Sequence, residues 1–194
     1  MEKFVRLSAV AAPLPLANVD TDMIIPARYM KGLTRSGLGG HLFRELRFAA
    51  DGGELGDFVL NQPAFRHAQI LIADRNFGCG SSREHAVWAL ADFGIRCVIA
   101  PSFGDIFAGN ARKNGLLLIR LPDAICTRLR DDIMLAQHAP IGIDLETQQI
   151  DLASGKMIGF AIDPGDRRIL MEGLDDIART LRHADAIARF EAAI

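Results

Sequence analysis

The chain has 194 residues, 49% of them hydrophobic and 24% charged, with a formal net charge of -2. That length sustains one well-packed domain, or a domain with a small appendage, and excludes two large ones. The near-balanced charge, with no basic or aromatic-rich stripe, excludes a general nucleic-acid or anionic-membrane surface but leaves local capture of a small anion open.

The N-terminal stretch MEKFVRLSAVAAPLPLANVD lacks the basic start and small-residue cleavage site of an export signal. No apolar run approaches the roughly 20 residues that a membrane helix needs. A cytoplasmic location is therefore expected. Cys79, Cys97 and Cys126 are far apart and form no C-x-x-C pair, so neither a disulfide framework, a zinc site nor an iron–sulfur cluster is expected on this chain.

In chain order, FVRLSAVAA (4–12) reads as a strand, and residues 17–65 are rich in Gly, Pro and turn chemistry. So long an irregular stretch is expected to be a functional loop or one ordered by a partner. AQILIAD (68–74) reads as a strand, HAVWALADF (85–93) as a helix stopped by Gly94, and IRCVIA (95–100) as a second strand. GDIFAGNARKN (104–114) is a short helix with Asn114-Gly115 as its stop signal, and LLLIRL (116–121) is a third strand. Strands and helices alternating at this spacing predict parallel, right-handed crossovers and an α/β core. DAICTRLRDDIML (123–135) has helical periodicity. IGIDLETQQIDL and KMIGFAID, separated by ASG, predict an antiparallel hairpin, and LDDIARTLRHADAIARFEAAI a helical tail broken near His183. No internal repeat or domain linker interrupts residues 1–194.

The loop NFGCGSSREHA (76–86) concentrates the chemistry. One reading is structural: Ser81-x-x-Glu84 fits a capping box, and Gly78 and Gly80 make the turn. The other is functional. A strand entering a glycine-rich turn and then a helix leaves backbone N–H groups and a positive dipole end aimed at one point. Arg83, in what this spacing makes the first helical turn, adds a planar fork suited to a carboxylate or phosphate. The dinucleotide, Walker A and hydrolase-elbow patterns all fail here. Amide donors and a guanidinium in a dry site stabilise a serine alkoxide, so Ser81 or Ser82 is a candidate general base. Cys79 is read as reactive or merely packed. His85 is read as a ligand, an acid or an ordinary helix residue.

The Gly78-to-His85 pattern G-x-G-S-S-R-E-H resembles the signature of the mobile C-terminal domain of the aconitase superfamily. Its cysteine between the glycines is similar to the small subunits of isopropylmalate isomerase (3-isopropylmalate dehydratase). NVDTDMIIPARYM (18–30), FVLNQPAFR (58–66), APSFGDIFAGNARKNGLLLI (100–119) and GLDDIARTLRHADAIARFE (173–191) resemble family segments in the same order. The resemblance implies a single swivelling three-layer β/β/α domain with a mostly parallel sheet, a second antiparallel sheet and flanking helices. It also implies a mobile substrate-selecting and interface loop over 28–60 and a helical tail over 173–194.

For the site, the resemblance implies Ser81 as the base that takes a carbon-bound proton. Ser82 and Arg83 become substrate ligands, with Asp22 and Thr21 beside them. The implied reaction is a hydro-lyase interconversion of 2-isopropylmalate and 3-isopropylmalate in leucine biosynthesis. The [4Fe-4S] cluster is implied on a separate large subunit and no cofactor on this chain, which alone is expected to be inactive. Substrate choice is expected in residues 26–38, where Tyr29, Met30 and Leu33 offer an apolar wall and Lys31 and Arg35 are read first as solvated cations. Ala111 and the Ala108-Gly109 turn depart from the family pattern without touching this chemistry. The alternatives are a homoaconitase or methylmalate-type small subunit and, in a different class, a dicarboxylate-binding module without turnover.

Overall fold

The computed structural model describes residues 1–30, 34–80, 82–136 and 139–193. The first strand, β1 (Arg6–Pro13), is exposed at its start and buried over its last three residues, because it passes from one half of the sheet into the other. Arg6 to Val10 pair antiparallel with a late strand, and Ala11 to Pro13 pair parallel with an early one. Pro13, which has no N–H to donate, falls where the late strand no longer pairs.

Among the described residues, the connection from residue 14 to 69 holds only short elements, among them α1 (Thr21–Ile24) and α2 (Arg44–Arg47). It is nonetheless a core layer: Val19, Ile24, Ile25, Leu42, Phe43, Leu60 and Phe65 are fully buried. Buried Arg47 holds this layer together, donating from Nε to Asn61 Oδ1 at 3.0 Å and lying 4.9 Å from the ring centres of both Phe48 and Phe93. The Asn61 amide returns hydrogen bonds to the carbonyls of Arg47 and Leu55.

The next elements follow the expectation closely. They are β2 (Ile70–Ile72), α3 (His85–Phe93), β3 (Cys97–Ala100), α4 (Asp105–Lys113) and β4 (Leu117–Arg120). Gly94 ends α3 in the left-handed region at φ 110°, where glycine carries no Cβ penalty. Every residue of β2 and β3 is buried, the mark of parallel strands covered on both faces. The helix α5 (Asp123–Leu135) packs across β1, β2 and β3. From it, buried Arg130 donates to the carbonyl of Ala73 at 2.8 Å, just past the end of β2.

After α5 the outcome differs from the expected single hairpin. IGIDLETQQIDL folds back on itself as β5 (Pro140–Asp144) and β6 (Gln149–Asp151), and KMIG supplies a third strand, β7 (Met157–Gly159). The reason is local: the Asp144 carboxylate accepts from the amides of Glu146 and Thr147 and fixes a tight turn. The strand order is β4-β3-β2-β1-β5-β6-β7, so the expected parallel and antiparallel sheets meet at β1. A helix absent from the expectation, α6 (Pro164–Glu172), follows, capped by Asp163 with proline at its start. The tail forms α7 (Asp176–Leu181) and α8 (Ala184–Glu191), broken at His183 as expected.

Candidate active site

Three loops leave the carboxyl ends of β1, β2 and β3 and are laced together by hydrogen bonds. Asn18 N–H donates to the Arg75 carbonyl, Gly78 N–H to that of Val19, and Thr21 N–H to that of Cys79. On the other flank the amides of Asn76 and Phe77 donate to the hydroxyl and carbonyl of Ser102. Crevices outside the carboxyl ends of parallel strands are where open α/β sheets bind ligands. Gly78, at φ 74°, is required for more than the turn, since a Cβ there would fall inside the ring of Phe107.

This lacing brings the T-D pair and the glycine-rich loop together across some sixty residues of sequence. Asp22 Oδ1 and Arg83 Nη1 form an ion pair. Arg83 is about one-third exposed and Asp22 about half, so the pair sits near the surface rather than in the core. Asp20 caps α1 by accepting from Met23 N–H at 2.7 Å. Thr21 is only 1% exposed, and its hydroxyl has no hydrogen-bond partner among the described residues. An unpaired buried hydroxyl costs about 1–3 kcal/mol. Ser82 is exposed, and its carbonyl accepts from Asn110 Nδ2 at 3.3 Å. Gly80 adopts φ 89°. Ser81, Lys31 and Leu33 lie outside the described residues.

α3 begins at His85, so Glu84 occupies the cap position and makes no side-chain cap bond. Its carboxylate instead accepts from Asn114 Nδ2 at 2.7 Å. The bonds of the expected box to Ser81 fall outside the described residues. Glu84 is thus a tie to α4, and Arg83 precedes the helix rather than opposing its dipole from within.

Around the expected selecting loop, half-buried Tyr29 stacks on His41 with ring centres 4.0 Å apart. The neighbouring Arg28, then Arg44, hold its phenol below the usual tyrosine range. Met30 is half-buried against the core. Arg35 is exposed yet lies 5.1 Å from the centre of the Trp88 ring; it is therefore not simply a solvated cation.

Cys79 is half-buried in the loop, while Cys97 and Cys126 are in the core. Burial pushes the Cys97 thiol up, and burial raises that of Cys126 to about 11. Among the described residues no group of three or more His, Cys, Asp or Glu is arranged to hold a metal. Sequence reasoning missed Asn110 and Asn114, which reach the loop from α4. The pair Asn114-Gly115 gave only a helix-stop signal, and nothing local marks a side chain that bonds thirty residues upstream.

The family model for the aconitase C-terminal domain matches residues 1–124, which contain every site residue above. A second model, for the C-terminal domain of the 3-isopropylmalate dehydratase small subunit, matches residues 176–193. The 3-isopropylmalate dehydratase small subunit of Gluconacetobacter diazotrophicus is 58% identical over 192 residues, covering 99% of this chain and 93% of that one. The chain belongs to the 3-isopropylmalate dehydratase small-subunit family. A second relative so named, from Granulibacter bethesdensis, is 58% identical over 191 residues, covering 98% and 91% of the two chains. The crystal structure of a 3-isopropylmalate dehydratase from Methanocaldococcus jannaschii shares the fold with a TM-score of 0.70 at 25% identity, covering 95% of this chain and 98% of that one.

Proposed function

We propose that this chain is the small subunit of a heteromeric hydro-lyase that interconverts 2-isopropylmalate and 3-isopropylmalate through 2-isopropylmaleate in leucine biosynthesis. Family membership over nearly the whole chain supports the reaction class. The observation that carries the chemistry is the Asp22–Arg83 pair, which holds a guanidinium ready beside the glycine-rich loop. Only Nη1 of Arg83 is engaged among the described residues, so the rest of its fork is available to a substrate carboxylate. Asp22 orients that fork, and the Ser82 hydroxyl adds a second substrate contact.

Ser81 takes the proton from the substrate carbon. A serine is a very weak base in water, so the site must stabilise its alkoxide with nearby amides and the Arg83 charge, in a space from which water is excluded. Ser82, Asp22 and Arg83 are too exposed in the isolated chain for that. The large partner closes over them. It also carries the [4Fe-4S] cluster, whose open iron supplies a Lewis acid for the leaving hydroxyl. Cys97 and Cys126, buried in this chain's core, take no part in holding it. Tyr29, Met30, Lys31 and Leu33 select the isopropyl group. No helix among the described residues is long and apolar enough to cross a membrane, and a cytoplasmic location belongs to this proposal.

The test is reconstitution. The chain is mixed with a large subunit that holds an intact cluster, and the ultraviolet absorbance of the unsaturated diacid is followed with isopropylmalate, homocitrate and citromalate. Turnover of isopropylmalate by the mixture, and by neither part alone, is the expected result. Ser81→Ala should abolish that turnover while leaving assembly intact. Tight dicarboxylate binding by the chain alone, with no activation of any large subunit, would replace the proposal with a binding module.

A further inference from the structure

One face of α4 runs beneath the glycine-rich loop. Phe107 and Asn110, at i and i+3 of α4, and Asn114, the residue that ends the helix, at i+7, follow one another along one side. Phe107 fills the space under Gly78. Further along, Asn110 Nδ2 donates to the Ser82 carbonyl at 3.3 Å and Asn114 Nδ2 to the Glu84 carboxylate at 2.7 Å. The residue between these two ties is Arg83. Its neighbours on both sides are tied to Asn110 and Asn114, one by its carbonyl and the other by its carboxylate, while its side chain meets Asp22 of α1.

The orientation of Asn114 is determined by its partners. The Trp88 indole only donates, so Asn114 Oδ1 faces Trp88 Nε1, at 3.0 Å. That turns Nδ2 toward Glu84 and, at 2.8 Å, the carbonyl of Asn110. Both amide hydrogens and the oxygen are used, and the bond to a carboxylate is of the stronger, charge-assisted kind. Trp88 in turn lies under Arg35.

We propose that Asn114, acting through Glu84, and Asn110, acting through the Ser82 carbonyl, are positioning residues that set the point from which Arg83 reaches a substrate carboxylate. The identity of that substrate rests on the function proposed above, but the mechanical coupling does not. A grip on a carboxylate that is equally present in ground and transition states appears in KM, not kcat. Displacing the guanidinium should therefore weaken apparent affinity more than it slows proton transfer to Ser81, whose alkoxide the nearby amides also stabilise.

The experiment uses the chain assembled with its large subunit and isopropylmalate as the probe. Asn114→Ala is expected to raise KM by about tenfold with kcat within about threefold of wild type. Asn114→Asp alone sets two carboxylates against each other and should be worse. The exchanged pair Asn114→Asp with Glu84→Gln restores a donor facing an acceptor at residue 84, though not the bond to the Asn110 carbonyl, and should lower KM at least about threefold relative to Asn114→Asp alone. An unchanged KM in Asn114→Ala, or an exchanged pair no better than Asn114→Asp alone, overturns the proposal. If Asn114→Ala does not fold, the comparison between Asn114→Asp and the exchanged pair decides.

A second readout on the free chain is independent of turnover. Hydrogen exchange of the amides of residues 82–85 should quicken by about tenfold in Asn114→Asp and recover in the exchanged pair, with β2–β4 unaffected. Equal exchange in all three proteins overturns the coupling. A wild-type assembly that fails to turn over isopropylmalate counts against the proposed function alone.

Discussion

Arg83 and Gly78 show how two residues of one loop answer to different constraints. Arg83 uses one nitrogen on Asp22 and keeps the remainder of a planar fork, a geometry that an ammonium cannot copy. Arg83→Lys is expected to preserve folding and assembly and to lower kcat/KM by about a hundredfold; a rate near wild type would remove the clamp. Gly78 answers to packing. Replacing it with alanine forces a methyl group into the Phe107 ring from a backbone at φ 74°. The expected loss is on the order of 3 kcal/mol, visible as a lower thermal midpoint. A midpoint unchanged from wild type would mean that the loop can lift away from α4 at little cost. Sequence inspection reached Gly78, Ser82 and Arg83 through pattern alone. It could not reach Asn114, whose role depends on α3 and α4 lying side by side.

At the scale of elements, legibility followed how local the determining interaction is. β2 through α5 were readable because each apolar run of strand length ends at glycine, proline or a polar turn, and α3 and α5 have the very limits that periodicity suggested. The 14–69 connection hid its nature because Leu42, Phe43, Leu60 and Phe65 are buried without any repeating period. The helix α6, absent from the expectation, has a local start signal in Asp163-Pro164. The β5–β6 turn was missed because its signal is a single side chain, Asp144. Its carboxyl is held below the ordinary aspartate range by the amide of Thr147, with the Glu146 amide and Arg6 adding to this. A carboxylate depressed in the folded state contributes stability above its unfolded pKa and loses it as pH falls through the folded value. Asp144→Asn should therefore be less stable than wild type at pH 7, and the gap should close in acid below the ordinary aspartate range. Thermal melts across that interval check it, and a gap independent of pH would assign the turn's stability to something other than the charge.

Across the whole molecule, the core sorts the three thiols. Cys97 and Cys126 are buried and their thiols are pushed up, the latter to about 11, so neither supplies thiolate at neutral pH. Cys79 alone is half-buried. Alkylation of the native chain near neutrality should modify Cys79 first, with the other two reacting only after denaturant is added. Reaction of Cys126 at the rate of Cys79 would mean that α5 opens readily from the sheet. The apolar side chains of Ile177, Leu181 and Phe190, all exposed on the tail, lie outside this core altogether.

The placement of β1 has a bearing on the order of events during synthesis. It is the first strand made, yet its neighbours in the sheet come from around residues 70 and 140. The ribosome must therefore release about three-quarters of the chain before β1 has both neighbours, and such distant pairings are slow to close. The β2–β3–β4 unit, whose partners are successive in the chain, needs no such wait. Asp22 is delivered by the segment that leaves β1, whereas Arg83 belongs to the loop that leaves β2. Their meeting therefore needs the parallel β1–β2 pairing but not the later β1–β5 pairing, so the growing chain holds both halves of the ion pair well before the antiparallel half of the sheet has been made.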